Sequence, residues 1–421
     1  MSQPKPTLRQ ALSDKRMLVI LLLSFGSGLP FNLTGSTMQA WLADAHVAIQ
    51  TIGIFGVVGL SYILKFLWAP LLDRYTPPLL GRRRGWIIII QWCLAVAIGA
   101  MAFSSPAERP LQMGVVALIV AFLSASQDIV VDAYRVDTIR PSERALAAGA
   151  SAWGYRTAAM IANYVVVYVA SFVGWRYAYL MIAALMAATT FATLWAPEPE
   201  VPGHAPRTLL DAVWRPLADF VNRPYFLGFL AILLLYKVGD AFALSLYSAF
   251  MIKGMGFSLR ELASGKLDMT ISTVIGVTLG GWAYLKLGMF RSLLIFGVCQ
   301  ALTNLMYMVL SVVGKHLWLM LLATTVDTMV GGMGQAAYVA FLVSLCNINF
   351  SATQYAILSA LSAVPRVVMT MVSGYVVASI GWSHFFVLTC ATGMPGLVVT
   401  LLMRKPINEL AARDTASASG S

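Results

Sequence analysis

Long apolar runs, each of about the length that crosses a bilayer, alternate with short polar segments along the whole chain. About twenty predominantly apolar residues suffice for one helical span. Twelve such runs are legible: 17–43, 50–73, 85–103, 111–139, 144–173, 175–196, 224–252, 260–286, 290–312, 315–346, 351–380 and 382–403. A transmembrane barrel shows weak alternating segments instead. The pattern predicts an all-α polytopic membrane protein. The widest polar interval, 197–223, holds Pro197, Pro199, Pro202 and Pro206. It divides a six-helix half, 1–196, from a second, 224–405. Within that linker Leu209, Leu210, Val213, Trp214, Leu217, Phe220 and Val221 recur at helical spacing, interrupted by Pro216, which predicts a short interfacial helix. Residues 406–421, rich in Ala, Ser and Gly after Arg413, are expected to be a disordered tail.

Composition agrees: of 421 residues 59% are hydrophobic and 11% charged. The formal net charge of +11 reads as orientation and not as nucleic-acid binding. Lys5, Arg9, Lys15, Arg16, Arg74, Arg82, Arg83, Arg84, Arg140, Arg144, Arg207, Arg215, Arg223, Lys286, Arg291, Arg404 and Lys405 fall on one side. Only Arg109, Arg176, Lys253, Arg260 and Lys315 fall on the other, so both termini are expected in the cytoplasm. The first run lacks a small-residue cleavage site and reads as a retained span. Cys93, Cys299, Cys346 and Cys390 all lie in apolar runs, where neither a disulfide framework nor a metal site is expected. No nucleophile with a neighbouring base and no phosphate loop is present, so an enzyme is not expected, nor a cofactor.

One stretch organises the rest. On a helix Ser124, Asp128, Asp132 and Arg135 share a stripe, with Gln127 beside them. A carboxylate at membrane depth is costly and by default faces a path for ions or substrate. The halves show a faint repeat. Gln127 and Arg156 in the first are spaced much as Gln335 and Arg366 in the second, and Gln335 follows Gly331-Gly332-Met333-Gly334. Two halves related in this way, with a site near the midplane, are a transporter plan.

Asp73-Arg74 closes the second run, and Gly81-Arg82-Arg83-Arg84 leads into the third. This resembles the loop signature of the major facilitator superfamily. Its physical reading is a cytoplasmic latch of Asp73, Arg74 and Arg82, with Arg135 and Asp137 of the fourth run as partners. Further stretches carry a closer likeness: Gly28-Leu29-Pro30, Gln39-Ala40-Trp41, Lys65-Phe66-Leu67-Trp68, Ser126-Gln127-Asp128-Ile129-Val130, Tyr236-Lys237-Val238-Gly239-Asp240-Ala241-Phe242-Ala243, and Ser351-Ala352-Thr353-Gln354 through Arg366. Together they resemble the AmpG muropeptide permeases over essentially all twelve spans. Pro365 departs from the expected glycine before Arg366. Some relatives also carry extra C-terminal hydrophobic segments, whereas this chain stops after the twelfth span. The resemblance implies a proton-driven importer in the bacterial inner membrane, and a monomer is expected. Its cargo would be GlcNAc–anhydro-MurNAc and its peptides, released from the cell wall, recycled, and able to signal β-lactamase induction and so antibiotic resistance. The alternative is a major-facilitator carrier of another large anionic solute, such as an acyl-CoA.

The polar residues within the spans suit an anionic, hydroxyl-rich cargo. Lys65, Arg156, Lys237 and Arg366 are intramembrane cations; Arg offers a fork to carboxylates and Lys a point charge. Gln39, Asn32, Gln127, Gln335 and Tyr338 are candidates to read sugars. Asp327 and Asp268 are expected near the outer mouth. His46, His204, His316 and His384 all lie outside mid-span, so a buried carboxylate is the expected proton carrier. Asp128 is the first candidate and Asp240, which Lys237 can pair at i, i+3, the second.

Overall fold

A computed structural model describes residues 15–78, 80–139, 143–198, 218–346 and 351–419. Among them are ten helical stretches long and apolar enough to cross a membrane. They begin with α1 (Lys15–Asp44), α2 (Ile49–Leu67), α3 (Arg82–Ala102), α4 (Pro110–Thr138), α5 (Leu146–Val173), α6 (Trp175–Trp195) and α7 (Phe226–Gly254). The next, Leu259–Val313, runs for 55 residues and is broken at Gly288 (φ 75°, ψ 174°) into α8 and α9. After α10 (Leu317–Ser344), the stretch Gln354–Leu402 is broken at Gly381 (φ 76°, ψ 172°) into α11 and α12. Counting both breaks gives the twelve expected spans. A side chain with Cβ is strained at such positive φ, so glycine alone makes these sharp reversals cheaply.

The chain forms two compact units, Met1–Val47 with Val58–Ala205, and Ala48–Val57 with Pro206–Ser421. Residues 48–57 depart from the expected division at 197–223. The opening turns of α2 group with the second unit, where Gly53 and Gly374 of α11 lie too close for a Cβ on either. Of the linker helix expected within 197–223, residues 199–217 lie outside the described residues; 218–221 are helical.

The repeat appears in the backbone. Gly174-Trp175 joins α5 to α6 with Gly174 at φ 83°, ψ 164°, the conformation of Gly381 before Trp382. In the first unit Trp175 reaches the end of α1, stacking on Trp41 (5.9 Å, 12°) and donating its indole N–H to Asp44 (2.8 Å). In the second unit Trp382 packs on Phe250 (5.0 Å), at the end of α7. The same turn therefore docks the last helix pair of each half onto that half's first helix.

The sequence expectation of a disordered tail over 406–421 is corrected. Arg404–Ser419 forms a thirteenth helix, α13. Ile407 is fully buried, and Leu410 and Ala411 pack beside it on the core of the second unit. That i, i+3, i+4 stripe anchors the segment despite its small-residue composition. Elsewhere large apolar side chains stay exposed on helix flanks, among them Leu111, Trp153, Phe191 and Leu285, as lipid-facing surface requires.

Candidate functional site

In the first unit α4 carries the polar stripe, but its members meet different surroundings. Ser124 and Gln127 are fully buried. Gln127 lies against Gly26 of α1, where a Cβ would come within 3.3 Å of its amide nitrogen. Neither amide atom of Gln127 has a hydrogen-bond partner among the described residues. An unmade bond on a buried polar group costs roughly 1–3 kcal/mol, so this amide keeps its full capacity for whatever enters beside it. Asp128 accepts a bond from Ser27 of α1 and faces Lys65 of α2, whose Nζ is 3.7 Å from Oδ2. The anchor for that pairing lies just beyond the end of α2. Trp68 donates its indole N–H to Ser126 (2.9 Å), and Ser126 in turn donates to the carbonyl of Phe122 (2.8 Å). Lys65 therefore pairs with Asp128 rather than reaching for the membrane edge. Close by, Phe31 meets Tyr62 edge-on (4.8 Å) and Tyr155 at 6.4 Å, an aromatic group that hydropathy alone did not separate from core. Arg156 follows Tyr155 and is exposed; Gln39 is buried.

At the basic end of this unit the expected latch is rearranged. Asp137 pairs with Arg83 (2.7 Å), a buried arginine outside the expected set. Arg135 instead pairs with Asp132 (3.0 Å) and donates to Ser151 (2.8 Å). In a run of three arginines each successive side chain turns by about 100°, which sets Arg83 toward α4 and Arg84 toward α6. Glu198, beyond α6, accepts the backbone N–H of Arg83 (2.9 Å) and of Arg84 (3.1 Å). It thus supplies the acidic cap that the first turn of α3 lacks in its own sequence. Arg84 returns the favour, donating to the carbonyls of Thr193 (3.1 Å) and Leu194 (2.8 Å) at the last turn of α6. Arg74 is exposed, and the side chain of Asp73 lies outside the described residues.

In the second unit α7 is interrupted at Tyr236 and Lys237, and helix resumes at Val238 with Asp240 in its first turn. Broken spans of this kind mark binding sites in transporters. Gly239 permits close approach of α12 at Thr389 and Gly393. Lys237 pairs with Asp240 (3.4 Å), as the i, i+3 spacing anticipates. Beyond it runs a network absent from the sequence expectations. Gln300 of α9 donates through one amide nitrogen to Asp240 (3.0 Å) and to Asp327 of α10 (2.8 Å). Thr303 (2.6 Å) and Tyr307 (3.0 Å) donate to Asp327 as well. Asp327 is fully buried, not at an outer mouth as expected. Asp268 meets Thr325 (2.8 Å). A cavity of about 20 Å³, room for one water-sized guest, is lined by Tyr236, Lys237, Asp240, Phe296 and Gln300.

Tyr338 takes a core position. Its ring stacks on Tyr236 (5.5 Å, 7°) and its hydroxyl donates to the carbonyl of Leu233 (2.6 Å), which occupies the group expected to read sugars. Gln335 and Arg366 are exposed. Arg223 donates to the carbonyl of Leu345 just beyond α10 (2.5 Å) and pairs with Asp219, which also accepts from Gln354 of α11 (2.7 Å). Among the described residues no group of three or more His, Cys, Asp or Glu is placed to hold a metal.

The family model described as Major Facilitator Superfamily matches residues 20–370. The chain is 43% identical over 403 residues to a protein of Escherichia coli (strain K12) named anhydromuropeptide permease, covering 95% of this chain and 82% of that one. It is 30% identical over 412 residues to a putative transporter, AmpG 4, of Rickettsia felis, covering 95% and 99%. Among solved structures, a bacterial homolog of the human lysosomal transporter Spinster matches with a TM-score of 0.72 at 14% identity over 98% and 99% of the two chains. A D-xylose–proton symporter matches with a TM-score of 0.67 at 14% identity over 93% and 97%. At those identities the likeness is one of fold.

Proposed function

The chain belongs to the major facilitator superfamily and, within it, to the anhydromuropeptide permeases, and from that membership we propose that it imports anhydromuropeptides across the bacterial inner membrane by proton symport. The observation that carries the cargo is the 43% identity to the Escherichia coli permease along 95% of the chain. The chemistry of both units supports it. GlcNAc–anhydro-MurNAc and its peptides bring carboxylates, amides and hydroxyls. Lys65 and Lys237 supply cations, each already balanced by one aspartate, Asp128 and Asp240. The open amide of Gln127 and the rings of Phe31, Tyr62 and Tyr155 supply hydrogen bonding and an apolar face. A cation paired to a carboxylate is released for the cargo when that carboxylate takes a proton, and this exchange makes proton and cargo favour each other, as coupling demands. Asp128 is the leading carrier and Asp240 the second. Both termini lie in the cytoplasm, on the side of the basic loops, and the protein works as a monomer. The test is uptake of radiolabelled GlcNAc–anhydro-MurNAc into vesicles, with and without an imposed proton gradient. Accumulation that needs the gradient is expected. Equal uptake in both conditions overturns the proton-driven reading, and no uptake in either overturns the cargo.

A further inference from the structure

Asp327 has no part in the scheme above, yet it is a fully buried carboxylate that accepts from three donors. It is 0% exposed, and the described residues give it no ion pair. Its Oδ1 accepts from Gln300 and Thr303, and its Oδ2 from Tyr307. The groups facing it are Lys237, Asp240 and Tyr247 of α7 and Tyr307 of α9. Lys266 and Asp268 belong to α8, and Asp268 is engaged with Thr325 on α10. Lys237 thus stands as one cation against two carboxylates, Asp240 and Asp327, that share a single amide of Gln300. With both carboxylates ionised the group carries an unbalanced negative charge inside the membrane, a costly state. One proton removes it.

The heavy atoms suit both states without moving. Thr303 has a second acceptor, the carbonyl of Gln300 at 2.8 Å. Its hydroxyl can therefore turn there and accept from a protonated Asp327 at 2.6 Å. Tyr307 can likewise reverse its role at 3.0 Å. Gln300, 92% buried, keeps its own carbonyl oxygen without a partner beside the small cavity that Lys237 and Asp240 also line. A cargo carboxylate that reaches Lys237, which requires this water-sized space to widen, meets both the Lys237 ammonium and a neutralisable site within one connected network.

We propose that Asp327 holds a transported proton and is coupled through Gln300 to the Lys237–Asp240 pair, so that an anionic cargo group taking Lys237 and a proton settling on Asp327 occur together. The step forms one O–H bond on Asp327 from a proton of the outer water and breaks it to the inner water; nothing is oxidised or reduced. The inference rests on proton-driven import. When cargo draws Lys237 away, Asp240 loses its counter-charge, and the proton on Asp327 offsets that loss across the shared amide.

The test uses purified protein in proteoliposomes with radiolabelled GlcNAc–anhydro-MurNAc, read as counterflow and as gradient-driven accumulation. Asp327→Asn fixes the neutral state. Counterflow is expected within about twofold of wild type, while the inside-to-outside cargo ratio under a gradient falls to about one, the equilibrium of an uncoupled carrier. Accumulation equal to wild type overturns the inference. Should Asp327→Asn abolish counterflow as well, Tyr307→Phe decides. It removes one donor to the charged carboxylate, so the pH of half-maximal accumulation moves upward by about one unit; an unmoved profile overturns the inference. Wild-type protein that shows no gradient dependence instead refutes proton-driven import itself, and the two failures stay distinct.

Discussion

Replacing Asp128 with Asn tests whether Lys65 is the cargo's cation. The Lys65–Asp128 separation is 3.7 Å. Two unit charges at about 4 Å attract by about 1 kcal/mol in water and about 4 kcal/mol at an effective dielectric of 20. The lysine side chain is 35% exposed and the aspartate 16%, so screening holds the value toward the lower limit, about 1–2 kcal/mol. That attraction is what a cargo carboxylate must displace. Asp128→Asn removes it and is expected to tighten binding of GlcNAc–anhydro-MurNAc by about 5- to 30-fold, while abolishing accumulation under a proton gradient. Calorimetric titration of the purified protein gives the affinity. Three controls bind the interpretation. The methyl ester of the cargo should show no tightening. Lys65→Ala should weaken the acid form, and adding Asp128→Asn to it should change nothing further, a coupling of the same size seen from both partners. Unchanged or weaker binding by Asp128→Asn, or equal tightening for acid and ester, refutes the competition between Asp128 and cargo for Lys65.

Three more outcomes are expected. In a protein lacking Cys93, Cys299, Cys346 and Cys390, single cysteines at Arg109 and Arg74, both exposed, should label from the periplasmic and the cytoplasmic side respectively; the reverse pattern refutes the orientation. Glu198→Gln should destabilise the first unit by about 1 kcal/mol through the lost charge at the α3 N-terminus, read as a thermal midpoint lower by about 2–4 °C, and an unchanged midpoint refutes the capping role. Arg156→Ala and Arg366→Ala should each cut uptake at least about tenfold, as loss of one charged contact implies, with thermal stability retained; wild-type binding by both refutes their role in cargo recognition.

The twelve spans were legible because the bilayer imposes a length that no soluble context demands. Glycines at 174, 288 and 381 were not singled out in the sequence, since glycine serves helix contact as well as reversal; only their backbone angles separate the two uses. Among charges, the sequence pairs neighbours on one helix. Lys237 with Asp240 followed from spacing, but Lys65 with Asp128 needs the rotation of α2 against α4, which Trp68 and Ser126 set. The choice of Arg83 over Arg82 for Asp137 is a matter of one residue's phase. Asp327 was misplaced because its three donors come from a helix 20–27 residues away in sequence, across the reversal at 314. Tyr338 was misjudged for the opposite reason: a tyrosine within a span carries a polar tip, and a backbone carbonyl satisfied it.

The ends of the polar interval between the halves are both tied down. Glu198 is spent on α3 and Asp219 on Arg223 and Gln354. Each unit therefore holds its own end of the interval by bonds made wholly within that unit, α3 through Glu198 in the first and α11 through Asp219 in the second, so a substitution that loosens one end leaves the bonds of the other intact.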